Sequence, residues 1–76
     1  MSIWIVTFNL KRWGARVKLV FAESEARARQ VAREQVYQSR DEGSDFVATR
    51  VDADAIGARA FEDIDALAYA VQKAKT

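Results

Sequence analysis

Three groups of side chains in this sequence carry usable chemistry. In the first, Lys11, Arg12, Arg16 and Lys18 surround Trp13 beside a glycine. Cations around an aromatic suit nucleic acid, through phosphate pairing and base stacking, and they suit a protein interface, where Trp and Arg act as hot spots. A plainer reading folds Trp13 back over the edge of the core and leaves the charges solvated. The second group is acidic: Asp41, Glu42 and Asp45, then Asp52 and Asp54, then Glu62, Asp63 and Asp65. Carboxylates two residues apart can ligate Mg²⁺ or Ca²⁺. Asp52-Ala53-Asp54, however, lacks the further oxygen ligands and glycine spacing of a calcium loop, so no metal site is expected. Capping and turn chemistry explain most of these acids. Asp41, Glu42, Asp45, Asp52 and Asp54 remain the candidate surface for a basic partner. The third group, Arg29, Arg33 and Arg40, lies beside Tyr37 on one side of a predicted helix. Glu25, four residues before Arg29, and the helix propensity of arginine on a solvent face account for it.

The absent residue types exclude whole classes of function. The 76 residues include no Cys, no His and no Pro. There is accordingly no disulfide, no zinc-thiolate site, no thiol nucleophile and no imidazole base or ligand. Ser24, Ser39 and Ser44 have no histidine to activate them, and each sits where capping or loop chemistry explains it. Half the residues are apolar, but 14 of these are alanine. The remainder builds two packed layers and leaves little room for a deep pocket. The sequence therefore predicts a single domain over residues 1–76, non-enzymatic and without a cofactor. No apolar run approaches the ~18 residues of a membrane span. Met1-Ser2-Ile3-Trp4 has none of the basic character of a signal peptide, so a cytoplasmic location is the expectation.

The formal net charge of +1 conceals an asymmetry. Residues 1–40 carry eight basic and three acidic groups, whereas residues 41–76 carry four basic and eight acidic ones. Such a chain presents faces of opposite sign unless the halves interleave and cancel.

The elements that position these groups follow from periodicity. Residues 3–10 and 15–22 both alternate and are rich in β-branched and aromatic residues. Lys11-Arg12-Trp13-Gly14 connects them, with glycine free to take a positive φ, which predicts a β-hairpin. Its core face is expected to hold Trp4, Val6, Phe8, Val17, Leu19 and Phe21. Ser24 is a good N-cap for a helix whose apolar stripe is Ala28, Val31, Ala32, Gln35 and Val36. That helix should end near Asp41-Glu42-Gly43-Ser44, with Gly43 as its stop. Residues 45–52 read as a third strand. Residues 54–62 are ambiguous: a fourth strand over Ile56–Phe61, preferred here, followed by a helix from Asp63 burying Ile64, Leu67, Ala68 and Val71, or one long helix from Asp54.

The order ββαβ(β)α predicts a small α+β domain. An antiparallel sheet of three to four strands would have two helices packed on one face. The other face, with Ile3, Ile5, Thr7, Arg16, Lys18 and Val20, would stay open to a partner or a second copy.

The Ile3–Leu10/Val17–Ala22 hairpin, the Glu23-Ser24-Glu25-Ala26 approach to a helix and the segment Gly57-Ala58-Arg59-Ala60-Phe61-Glu62-Asp63 together resemble small phage-type anti-CRISPR proteins acting on type I surveillance complexes. The resemblance implies a stoichiometric inhibitor without cofactor that occupies a protein subunit of a CRISPR effector complex and blocks target DNA binding or nuclease recruitment. An acidic face would then compete with DNA phosphates for a basic groove. Two other readings stand beside it. One is a small nucleic-acid-binding protein using Lys11, Arg12, Trp13, Arg16 and Lys18; the other is a homodimeric structural module joined through the open sheet face.

Overall fold

The expected hairpin is present. In the computed structural model, which describes residues 1–75, β1 (Ser2–Leu10) pairs antiparallel with β2 (Gly14–Ala22). Its register corrects the expected core face. A four-residue loop would pair Leu10 with Ala15 and set Val17, Leu19 and Phe21 beside Phe8, Val6 and Trp4. Instead Gly14, at φ 74°, pairs with Leu10, and the connection is one residue shorter. A shift of one residue exchanges the two faces of a strand. Trp4, Val6 and Phe8 therefore share their face with Val20, Lys18 and Arg16, and Val20 and Ala22 are the buried residues of β2.

That face is covered by α1 (Glu25–Gln38). Ser24 caps it as expected, its hydroxyl accepting from the Arg27 N–H at 3.2 Å. Ala28, Ala32 and Val36 pack against Val6, Phe8, Val20, Ala22 and Ala48. Ala28 and Ala32 are fully buried, so the helix lies close on the strands. A methylene added there would overpack the contact at about 1–3 kcal/mol. The helix is stopped by Arg40 rather than Gly43. Arg40 takes φ 62° while its N–H donates to the Tyr37 carbonyl and the Asp41 N–H donates to the Val36 carbonyl. This paired closure satisfies the last carbonyls of the helix and usually places glycine at the left-handed position.

Gly43 opens β3 (Gly43–Arg50), which pairs antiparallel with β1, giving the sheet order β2-β1-β3. The β1–β3 register slips once between Thr7 and Asn9, and Asp45, at φ 57°, is the extra residue on β3. Asp tolerates that conformation better than most residues, and its carboxylate accepts from the Asn9 amide at 3.2 Å. Gly43 is needed here for space. A Cβ at this position would lie 2.8 Å from the tip of the Phe46 ring.

Residues 53–75 correct the sequence reading twice. No fourth strand forms, and no single long helix does either. A short helix α2 (Ala53–Ile56), capped by Asp52, ends at Gly57 with φ 85°. An irregular stretch then leads to α3 (Ile64–Lys75), where the Asp63 carboxylate accepts from the Ala66 N–H at 2.9 Å. The helix start near Asp63 and the stripe of Ile64, Leu67, Ala68 and Val71 are as expected.

The second correction concerns where that stripe is buried. It packs with Val17, Val51 and Ile56 around Ile5, which is 1% exposed. Neighbouring residues of a strand point to opposite faces, so Ile5 and Val6 open onto different layers. The protein is a small α+β domain with a three-stranded antiparallel sheet between α1 on one face and α3 on the other. The expected open face is therefore capped by α3 over Ile5. Thr7 is half-buried on that same face, Ile3 stays exposed beside it, and Arg16, Lys18 and Val20 lie on the α1 face. Among the described residues no helix is long and apolar enough to cross a membrane.

Candidate protein-binding site

The hairpin connection stands at one end of the sheet, and its chemistry is concentrated in three residues. Lys11, Arg12 and Trp13 are all exposed, Trp13 at 63%. The indole does not fold back over the core. Among the described residues it makes no hydrogen bond or ring contact, and most of its surface is left to solvent.

The end of α1 comes to the same place. The backbone N–H of Lys11 donates to the Glu42 carbonyl at 3.0 Å, and the Lys11 ammonium lies 3.5 Å from the Glu42 carboxylate. Both side chains are exposed, and such a pair contributes little stability in water. Its importance is geometric. Lys11, Arg12, Trp13, Ser39, Arg40, Asp41 and Glu42 line one shallow depression, so cations, carboxylates and an indole share a single surface. The sequence placed Lys11 and Glu42 in different halves of opposite charge. In the sequence Arg40 belongs to the solvated arginine row and Ser39 to capping or loop chemistry, and no local motif sets either beside Trp13, because they reach the hairpin only through the α1–β3 turn.

The five acidic candidates do not form one face. Asp41 and Glu42 flank the hairpin connection, and Asp45 sits at the same end of β3, bonded to Asn9. Asp52 and Asp54 lie beyond the opposite end of that strand, roughly 20 Å away at the ~3.3 Å rise of a strand residue. Asp52 is occupied there as a cap, its carboxylate accepting from the N–H groups of Asp54 and Ala55 at 3.1 and 3.4 Å. Asp54 stands in the first turn of α2, where the helix dipole favours a negative charge.

Arg16 and Lys18 continue the basic character along β2 on the α1 face, and the Arg16 guanidinium donates to the Ala15 carbonyl at 2.9 Å. Arg29 pairs with Glu25 at 2.7 Å and Arg33 lies over the Phe46 ring, so two members of the expected arginine row are engaged within the fold, whereas Arg40 lies beyond the end of α1 and joins the depression instead. A surface groove of about 450 Å³ runs beside β3, lined by Trp4, Ala48, Arg50, Ile56 and Val71 together with Glu25 and Asp52. Among the described residues no three acidic side chains converge into a metal-holding group.

No protein-family model matches the chain, and no curated protein or solved structure matches it.

Proposed function

We propose that this chain is a non-enzymatic protein-binding module acting as a stoichiometric inhibitor, with Trp13 as the anchor of its interface. The exposure of Trp13 within a mixed-charge depression carries this reading. A large aromatic beside arginine, surrounded by polar groups that exclude water once a partner closes over them, is the composition of an interface hot spot. The carboxylates favour protein over nucleic acid. Asp41 and Glu42 stand among the cations and would meet a phosphate backbone with like charge, and Glu42 already neutralises Lys11. A protein surface offers both signs and accommodates the arrangement.

The partner we name is a protein subunit of a type I CRISPR effector complex, reached in the cytoplasm of a host cell. That identity is supported by the anti-CRISPR resemblance of the hairpin and of the Glu23–Ala26 approach to α1. The third resembling segment contributes only its acidic helix start at Asp63, since residues 57–61 form no strand. The interface is assigned to Lys11, Arg12, Trp13, Asp41 and Glu42, without Asp52 and Asp54.

The test is a gel shift of target DNA by purified type I effector complexes, with and without this protein, alongside the protein alone. Inhibition should appear at stoichiometric concentration and vanish for Trp13→Ala, while the protein alone leaves DNA unshifted. Unchanged DNA binding by every effector tested rejects the named partner. A salt-sensitive shift by the protein alone rejects the protein-binding reading in favour of nucleic acid.

A further inference from the structure

The outer edge of β2 carries an inference beyond the hairpin depression. β2 is an edge strand of nine residues, hydrogen-bonded to β1 on one side only. Which of its backbone groups are free follows from the sheet. The Ile3 carbonyl accepts from the Val51 N–H, so the odd-numbered residues of β1 point their backbone groups toward β3 and the even-numbered ones toward β2. In an antiparallel pair the partners of those even residues are Ala22, Val20, Lys18 and Arg16. The N–H and C=O groups of Val17, Leu19 and Phe21 therefore face outward, unpaired by the sheet.

The side chains beside that edge differ between its two faces. On the α3 face stand Val17, Leu19 and Phe21, the last two 45% and 63% exposed. On the α1 face stand Arg16 and Lys18, two residues apart along the strand. Ile3, opposite Phe21, extends the apolar side inward.

We propose that the β2 edge accepts an extended segment of a partner protein in which acidic and apolar residues alternate. Such a segment adds a fourth strand to the sheet. Main-chain hydrogen bonds to Val17, Leu19 and Phe21 supply affinity, and the alternation supplies selectivity. In an added strand every second side chain falls on the same face. Acidic residues then meet Arg16 and Lys18, while the intervening apolar residues cover Leu19 and Phe21. A second copy of this chain fits less well. Antiparallel pairing of β2 with its own copy over its whole length sets Lys18 directly opposite Lys18, and like charges across a strand pair are unfavourable. Charged residues on an edge strand also block indiscriminate pairing, and a segment of opposite charge is the kind of strand they admit.

The experiment is an amide-resolved NMR titration with a capped heptapeptide alternating valine and glutamate. Its controls are the same residues in block order and an alternating peptide N-methylated on its hydrogen-bonding edge. The alternating peptide should bind at least about tenfold more tightly than either control, with shifts centred on the Val17, Leu19 and Phe21 amides. Arg16→Glu, a change at an exposed position of the edge strand, should weaken binding about tenfold. Trp13→Ala should leave it unchanged, which separates this edge from the hairpin depression. Equal binding of the block-order or N-methylated peptide overturns the proposal. So does no binding at millimolar peptide, or a dimer that protects the same amides without peptide.

Discussion

The rings of Phe8 and Phe46 lie stacked with their centroids 5.0 Å apart and their planes within 16°. Phe8 comes from the central strand and Phe46 from the edge strand, next to the extra residue Asp45. The guanidinium of Arg33 on α1 lies 5.3 Å from the Phe46 centroid. One half-buried ring thus joins sheet pairing, the irregularity in the register and the helix above it. Phe46→Ala is expected to cost about 3 kcal/mol, combining lost burial with the lost aromatic pair. Phe46→Leu should cost about half of that. Urea unfolding checks both, through a lower midpoint at an unchanged slope. A loss below about 0.5 kcal/mol for Phe46→Ala, the range of an ordinary surface change, would show that the stack adds nothing to the fold.

Arg40 holds a left-handed conformation at the end of α1, with φ 62°. A side chain in that region costs roughly 1 kcal/mol relative to glycine. Arg40→Gly should therefore raise stability by about 0.5–1 kcal/mol, seen as a higher thermal midpoint, even though it removes an exposed cation. Arg40→Ala keeps the strain and should gain nothing. Equal stability of the two variants would mean that the conformation carries no strain.

These two positions also show how far the sequence could be read. The α+β class, the hairpin, the cap at Ser24, the helix start near Asp63 and the apolar stripes of both long helices, apart from the exposed Gln35, were legible, because each depends on local spacing or on one side chain near a backbone N–H. The facing of β2 was not. It turns on whether the loop holds three or four residues, and Gly14 is compatible with both until it pairs with Leu10. Once that parity changed, Leu19 and Phe21 moved from the expected core to the surface, and α3 was needed over Ile5. The proximity of Lys11 to Glu42 was illegible for a related reason. It arises where the α1–β3 turn meets the hairpin, a contact between segments about 30 residues apart. Within the candidate site, Trp13 was legible by its composition and its neighbours Ser39 and Arg40 were not.

Ile5 supplies a sharper test of the layered architecture. An open sheet face would tolerate Ile5→Glu, and in a dimer that substitution would merely separate the copies. Under α3, with Ala68 and Val71 packed on it, Ile5 has no access to water. A carboxylate there would be buried without a partner, at a cost of several kcal/mol. The expected outcome is an unfolded or partly unfolded chain, with helical circular dichroism lost and amide protection in α3 gone first. A folded Ile5→Glu monomer with α3 protected would refute the placement of that helix.

Trp13 separates binding from folding. Its side chain is exposed at the hairpin connection and, among the described residues, makes no hydrogen bond, so truncation removes little that the folded state gains over the unfolded one. Trp13→Ala should leave stability within about 0.5 kcal/mol of the parent, as for ordinary surface positions. At an interface the same truncation should cost 2 kcal/mol or more, roughly a thirtyfold loss of partner affinity. The charged neighbours predict a smaller effect of a different kind. Glu42→Gln releases Lys11 and should alter the salt dependence and association rate more than the dissociation rate, as rim charges do. Denaturant unfolding and binding kinetics on both variants distinguish the roles. If Trp13→Ala destabilises the fold by more than it weakens binding, the indole is a structural residue and the interface lies elsewhere on the surface. If it changes neither quantity, the depression at the hairpin connection is a solvated turn and the protein meets its partner through another element.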